Sequence, residues 1–146
     1  MANFDFSRLR DIERIAGDRM DKVVRGTLLD LSRRVVLRTP VGNPSLWQGP
    51  PPPGYTGGQA RGNWQASISS PASGTTTAID KTGTPTITSI AGETQNAPGN
   101  VWYLTNNLPY VSTALEYGSS TQAPTGMVRI SLRELDQSID DQISRL

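Results

Sequence analysis

The sequence predicts a single α+β domain with a long N-terminal helix, an antiparallel sheet of three to four strands, a short helix and a C-terminal helix. Apolar residues recur every three or four positions up to residue 38, and every two positions after residue 63. Turn-forming residues then separate short strand candidates by connections too brief for parallel crossovers. The length of 146 residues fits one domain, 1–146.

The first predicted helix extends from Phe6 to Arg38 and ends before Thr39-Pro40, because proline disfavours helical geometry in the residue before it. At ~1.5 Å per residue it spans about 48 Å, whereas a compact domain of this size is about 38 Å across. It therefore either bends, with Gly17 and Gly26 as weak points, or lies against another chain. Its apolar or small stripe contains Leu9, Ile12, Ala16, Met20, Val24, Leu28, Leu31 and Val35.

A proline-rich loop at about residues 41–62 follows this helix. It contains Trp47, four prolines at positions 50–53, and Tyr55. Polyproline beside aromatic residues favours an extended, ordered arm, and long loops inside compact domains are often functional. Trp47 and Tyr55 are therefore candidate interface residues, together with Leu9 and Ile12 of the helix. The alternative is a surface loop whose aromatic side chains lie on their own domain.

The strand candidates of the predicted sheet lie at 64–68, 75–80, 84–91 and 101–106, in segments rich in Thr, Ile, Val, Trp and Tyr. Glycine-containing turns separate them, which indicates an antiparallel meander. A short helix is then predicted over Tyr110–Gly118. A second helix is predicted from Met127 to Leu146, where apolar residues recur about every four positions.

The composition excludes several kinds of chemistry. The chain has no cysteine and no histidine, so disulfides, thiolate nucleophiles, Cys/His zinc sites and histidine acid–base catalysis are absent. The net charge of +1 does not indicate a dedicated nucleic-acid binder. No window approaches the ~18 apolar residues of a membrane span, so no membrane contact is expected. We predict that the chain is not an enzyme and uses no cofactor or metal.

Three weaker signals have ordinary structural explanations. Asp136, Asp140 and Asp141 sit at helical spacing and could bind a cation, but such runs usually form a solvated helix face. The glycines around Arg61 could hold a phosphate, but no nucleotide-binding motif is present. Glu116 has no acid–base companion in the sequence. None of these residues is assigned a catalytic, cofactor-binding or metal-binding role.

The supply of apolar residues is thin. Leu, Ile, Val and Phe make up only about a fifth of the chain, close to the level at which highly charged chains stay disordered. The nearly neutral charge argues against disorder. A modest core completed by partner surfaces therefore fits better than disorder, and a small stable monomer with many polar loops is the alternative.

An ordered set of short motifs carries a more specific signal. The motif positions, in chain order, are Thr39, Pro40, Val41, Gly58, Arg61, Trp64, Asn106 or Asn107, Tyr110, Glu116, Tyr117, Gly118, Gly126, Met127 and Val128. With these motifs the chain resembles, over about residues 9–130, the neck and tail-completion proteins of long-tailed bacteriophages, the family that includes minor tail protein Z of lambda-like phages. The proline-rich loop separates the Thr-Pro-Val and Thr-Gly motifs, which usually lie close together in this family.

The resemblance implies a structural virion protein that forms a ring, usually a hexamer in related tail-end proteins, at the head–tail interface. The implied partners are copies of itself, the head connector or a head-completion protein, and the tail terminator or tail tube protein. DNA would pass through the lumen only transiently. The implied location is the head–tail junction of the virion, after assembly in the host cytoplasm.

Other functions remain open from the sequence. The first is a tail terminator ring that caps the tail tube. The second is a DNA-binding accessory protein, with Arg33, Arg34 and Arg38 near the nucleic acid instead of offsetting the helix dipole. The third is a carboxylate hydrolase in which Glu116 meets a second acid in the fold.

Overall fold

The computed structural model describes the backbone of residues 7–117 and 120–146 and the side chains of residues 10–117 and 120–146. It contains both helix and antiparallel sheet, as the sequence predicts. The strands are β1 (Gln65–Ile68) and β2 (Trp102–Thr105). The helical elements are α1 (Ser7–Arg38), a 3₁₀ turn (Pro44–Leu46), α2 (Gln59–Gly62), α3 (Thr84–Thr94), a π-helix (Val111–Glu116), α4 (Val128–Arg133) and α5 (Leu135–Ile143).

The prediction of one long N-terminal helix is confirmed by α1, which has 32 residues. Its C-terminal half packs against α3, which runs antiparallel to it. At one end of α3, a Cβ on Gly83 would lie 2.8 Å from the Leu37 side chain. At the other end, Arg25 Nε donates a 3.1 Å hydrogen bond to the carbonyl of Gln95. Helix α3 therefore ends near residue 25 of α1.

Helix α5 packs along the same half of α1, also antiparallel to it. Ser138 near its start donates a hydrogen bond to the Asp30 carboxylate. Gln142 near its end lies where a Cβ on Gly26 would be, only 2.1 Å from the side-chain oxygen. Gly26 thus permits close helix–helix approach, and α5 also ends near residue 25 of α1.

The first half of α1 extends past both flanking helices. Every residue from 10 to 20 is exposed, including Ile12 at 62% and Met20 at 61%. Among the described side chains of α1, those buried by the domain begin at Val23. The helix therefore projects beyond its own domain, as its length predicts. We call residues 10–20 the free half of α1.

We expect the backbone amides of the free half of α1 to be the least protected from hydrogen exchange in this helix. The substitution Gly17→Ala should increase their protection. A Cβ at Gly17 meets nothing within 4 Å, so alanine adds helix propensity of up to ~1 kcal/mol without a clash. Amide hydrogen exchange between residues 14 and 21 should slow by a factor of about four, with little change in the melting temperature. The control is Gly62→Ala, whose Cβ would lie 2.4 Å from the Ala78 carbonyl oxygen and should lower the melting temperature.

The predicted sheet of three to four strands is wrong, because the described residues form one sheet of two strands. Strands β1 and β2 pair antiparallel, with Gln65 opposite Thr105 and Ile68 opposite Trp102. The first and last strand candidates are therefore confirmed. The two candidates between them take other conformations.

The candidate strand at 84–91 belongs to helix α3, because its start is capped. Gly83 adopts a left-handed φ of 89° and Pro85 occupies the first turn, where its missing N–H costs nothing. Thr86, Ile90 and Thr94 then form the buried helical face. This tertiary and capping context overrides the strand propensity of Thr and Ile.

The candidate strand at 75–80 has no regular secondary structure, because a side chain takes the backbone hydrogen bonds that a neighbouring strand would take. Asn63 is fully buried, and its Oδ1 accepts a 2.7 Å hydrogen bond from Thr76 N. Its Nδ2 donates at 3.1 Å to the Thr76 carbonyl. The segment is therefore attached to the turn before β1.

The predicted C-terminal helix is present but divided at Glu134. Helices α4 and α5 lie on either side of this residue, whose φ is −99° and ψ is 8°. Its carboxylate is bonded by Arg34 and Arg38 of α1. The short helix predicted at Tyr110–Gly118 is also present, as a π-helix over its described part.

The core lies between α1, α3, the sheet and these elements, and contains Val35, Val36, Ala60, Trp64, Ile90, Leu108, Val111, Ala123 and Met127.

Candidate functional site

Three motif residues from separate parts of the chain meet at the C-terminal end of α1. We call Thr39, Arg61 and Trp64 the motif junction. Thr39 is fully buried, and its hydroxyl donates a 2.8 Å hydrogen bond to the Val35 carbonyl. The same hydroxyl oxygen accepts a 2.8 Å hydrogen bond from Trp64 Nε1. The junction therefore attaches the segment before β1 to the end of the long helix.

The guanidinium of Arg61 caps this end of α1. Its Nη2 donates to the carbonyls of Leu37 at 3.2 Å and Thr39 at 2.8 Å, and its Nη1 donates to Lys81 at 2.7 Å. A cation here also offsets the negative end of the helix dipole. Burial lowers the pKa of Arg61, and the nearby charge of Asp80 opposes that shift. Because its nitrogens bind backbone carbonyls, the phosphate-binding alternative has no support here.

Gly58 allows the segment before Arg61 to pack closely against Asp80, which caps the start of helix α3. Its φ of +106° is left-handed, and a Cβ would lie 2.8 Å from the Asp80 carbonyl oxygen. Asp80 is buried and accepts hydrogen bonds from Gly83 N at 2.6 Å and Thr86 N at 3.1 Å. Burial raises the pKa of Asp80, but the hydrogen bonds, led by Thr86, lower it by more. This cap was not predicted from the sequence.

Folding brings the Thr-Pro-Val and Thr-Gly motifs together despite the loop between them. A Cβ at Gly57 would lie 2.6 Å from the Gly42 carbonyl oxygen and 2.9 Å from Val41 Cγ1. The turn therefore packs directly against the residues that follow Pro40. The inserted loop changes the spacing in sequence but leaves the two motifs in contact.

Glu116 is a buried residue whose carboxylate caps the start of α4. It is only 7% exposed, and its carboxylate accepts hydrogen bonds from the backbone N–H groups of Met127, Val128 and Arg129 at 2.8–2.9 Å. Burial raises the pKa of Glu116, but these hydrogen bonds and one from the Arg129 side chain lower it by more. Both carboxylate oxygens therefore accept hydrogen bonds from the start of α4.

The neighbours of Glu116 complete this cap. Gly126 has a φ of +76°, and a Cβ there would lie 2.7 Å from the Glu116 side chain, so the turn requires glycine. Arg129 donates to the Glu116 carbonyl, and its guanidinium carbon lies 5.0 Å from the Tyr117 ring centroid. Tyr117 is 69% exposed. Gly118 lies outside the described residues.

A groove of about 640 Å³ lies between the proline-rich loop and the π-helix. On the loop side, the ring centroids of Trp47 and Tyr55 are 4.8 Å apart, and the Tyr55 hydroxyl lies over Gly42, where a Cβ would clash at 1.8 Å. Tyr110 and Leu115 line the other side. The loop is thus closed on itself, while Trp47 stays 40% exposed. We call this the aromatic groove.

The aromatic groove carries no charge on any of its described lining residues. Burial raises the pKa of Tyr55, and it raises that of Tyr110 with a further contribution from Tyr55. Both hydroxyls therefore stay neutral at physiological pH. The groove offers aromatic and aliphatic surface with a few amides and hydroxyls.

A network of ion pairs between α1 and the C-terminal helices was not predicted. Arg38 Nη2 donates to both Glu134 carboxylate oxygens at 2.9 Å, and Arg34 donates to the same carboxylate and to Asp30. The hydrogen bonds from Arg38 and then Arg34 lower the pKa of Glu134. Arg38 also donates to Ser131 Oγ at 3.0 Å. Arg34 and Arg38 thus bind carboxylates of their own domain.

The candidate interface residues fall in two places. Trp47 and Tyr55 line the aromatic groove, whereas Ile12 lies on the free half of α1. The side chain of Leu9 lies outside the described residues. In the described part of the chain, no group of three acidic side chains is placed to hold a metal ion. Nor does any helix described there have the length and apolar character of a membrane span.

Comparisons of the chain with protein-family models, curated proteins and solved structures gave no match.

Proposed function

We propose that the chain is a structural virion subunit that forms a ring at the head–tail interface of a long-tailed bacteriophage. In this role it joins the head connector or a head-completion protein to the tail terminator or tail tube. The ring, a hexamer by the resemblance, leaves a passage for DNA. The observation that carries the proposal is the free half of α1.

The free half leaves apolar surface uncovered in an isolated copy. Ile12, Ile15 and Met20 are 62%, 44% and 61% exposed on a helix segment, residues 10–20, in which every residue is exposed. A contiguous exposed apolar surface commonly marks a protein–protein contact. A helix that projects beyond its own domain is available to pack against a neighbouring protein.

The motif residues support the same function, because they build a scaffold. Thr39, Arg61 and Trp64 hold α1 to the sheet, and Glu116 holds the π-helix to α4. The hydrogen bonds of Arg61 and Glu116 run mainly to backbone groups. If the chain shares these motifs with neck and tail-completion proteins, the motifs fit a common architecture better than a common reaction.

The charge balance on the free half of α1 fits loose passage of DNA better than tight binding. Residues 10–20 contain three basic and three acidic side chains. Arg14 lies within 4.0 Å of Asp11 and 3.8 Å of Asp18. A dedicated DNA contact needs an excess of positive charge on one face.

Particles assembled without this chain test the proposal. We expect filled heads and complete tails to accumulate separately, and expression of the chain in trans to restore joining. Electron microscopy of the restored particle should trace the chain as a ring at the head–tail junction. Normal joining in its absence, or density for the chain elsewhere, would contradict the proposal. Recovery of the chain on free tails alone would favour the tail terminator alternative.

A further inference from the structure

Two uncovered surfaces lie at opposite ends of the domain. The free half of α1 presents Ile12, Ile15, Ala16 and Met20 on one side of the helix, at helical spacing, with Arg19 on the same side. The aromatic groove begins at Pro40, two residues after α1 ends. From Met20 to the end of α1, 18 residues at ~1.5 Å span about 27 Å. The helix therefore does not reach the groove of its own chain.

The two surfaces are matched in character. The described lining of the groove is uncharged, and it exposes aromatic and aliphatic side chains. On the free half, Arg14 pairs with Asp11 and with Asp18 on the side away from the apolar stripe. Arg19 lies on the same side of the helix, between Ile12 and Ile15, so its long side chain has to extend past the rim of the groove and keep the charge in water, because burying that charge would be costly. An amphipathic helix in an apolar groove is a common recognition mode, with anchors at intervals of three and four residues.

A contact between opposite ends of two copies is heterologous. Each copy then offers one helix and one groove, and successive copies continue in the same direction until the rotation closes a ring. Helix-to-helix pairing between two copies would instead form a closed dimer and leave both grooves empty. The head-to-tail arrangement is the one that uses both surfaces in every copy.

The size of the contact indicates how it forms. Half the lateral surface of a helix ~16 Å long and ~10 Å wide is about 250 Å², so the two sides together bury about 500 Å². This is below the ~1,200 Å² of a stable pairwise complex. Free copies should therefore stay mostly separate and associate when a preformed neighbour, such as a connector ring, holds them side by side.

We infer that the free half of α1 of one copy docks in the aromatic groove of the next copy. The inference rests on the proposed ring, since it names the surfaces that form it. Ile12, Ile15 and Met20 are the anchors, and Trp47, Tyr110 and Leu115 receive them. The occupant of the groove is thus a second copy of this chain.

Cysteine cross-linking tests this directly, because the natural chain has no cysteine. The double variant Ile12→Cys/Gln48→Cys places one thiol on the apolar stripe and one at the groove. A short bismaleimide, applied to assembled particles and to purified protein at about 1 mM, should give a ladder of covalent oligomers. Mixing the two single variants should give a dimer and nothing larger.

The matched control is Asp18→Cys/Gln48→Cys, since Asp18 lies on the ion-paired face of the same helix segment and is equally exposed. It should give at most a trace of dimer. Dimers from Ile12→Cys alone, without a ladder from the double variant, would overturn the inference in favour of helix pairing. A ring seen by microscopy without the ladder would overturn the inference and leave the proposed function intact. Absence of the chain from the head–tail junction would contradict the function itself.

Discussion

Trp64→Ala should lower the free energy of unfolding by about 3–5 kcal/mol, the range for deleting a large aromatic side chain from a core. Trp64 is 7% exposed and packs in the cluster with Val35, Val36 and Met127. The substitution also removes the indole N–H that binds Thr39. Because whole domains are stable by about 5–15 kcal/mol, the variant should keep only a small margin. Urea denaturation followed by circular dichroism measures the change.

Trp47→Ala is the matched control, because it makes the same change at a side chain that is 40% exposed. It removes only the contact with Tyr55 and the edge of the groove, so it should cost about 1 kcal/mol or less. Trp64→Phe separates packing from hydrogen bonding, since it keeps most of the ring and loses the donor. Equal midpoints for Trp64→Ala and Trp47→Ala would contradict the role of the motif junction.

The long helix could be predicted from the periodicity of the sequence, whereas short segments that depart from their residue propensity could not. Helix α1 was predicted because its apolar repeat persists over 32 residues, so single errors average out. The composition of the segment at 84–91 predicts a strand, because Thr and Ile favour strands. Its helix depends on the buried carboxylate of Asp80 and on Pro85, and only the proline was a visible start signal.

A side chain that takes the backbone hydrogen bonds of a neighbouring segment also cannot be predicted from a sequence pattern. The segment at 75–80 has the composition of a strand, yet Asn63 supplies the hydrogen bonds of Thr76. A one-dimensional pattern does not reveal that a buried amide lies beside this segment. The pairing of Arg38 with Glu134 joins residues 96 positions apart. Nothing in the sequence around either residue indicates the other as its partner.

The candidate site was predicted as a set of positions without their contacts. Thr39, Arg61 and Trp64 were named from the order of motifs, and the structure brings them together. Their roles as helix cap and core anchor depend on where α1 ends relative to β1, which the sequence does not specify. Glu116 was named as well, but its partners follow a left-handed glycine about ten residues later.

Glu116→Ala should lower the free energy of unfolding by about 3 kcal/mol, because it leaves three backbone N–H groups and the Nε of Arg129 without their acceptor. Glu116→Gln keeps the shape but removes the charge and turns a donor toward those N–H groups, so it should cost somewhat less. The control is Glu93→Gln, an exposed residue that should change stability by less than about 0.5 kcal/mol.

The pH dependence distinguishes a charged cap from simple packing. Since the folded pKa of Glu116 is below its ordinary value of 4.5, its stabilisation is present above about that pH and is lost as the pH falls through the folded pKa. The stability difference between the natural chain and Glu116→Gln should therefore be constant from pH 7 to about 5 and shrink at lower pH. Asp80, Asp30 and Glu134 are present in both proteins, so their contributions cancel in the difference. A difference that stays constant down to about pH 2 would mean that the Glu116 carboxylate contributes by shape alone.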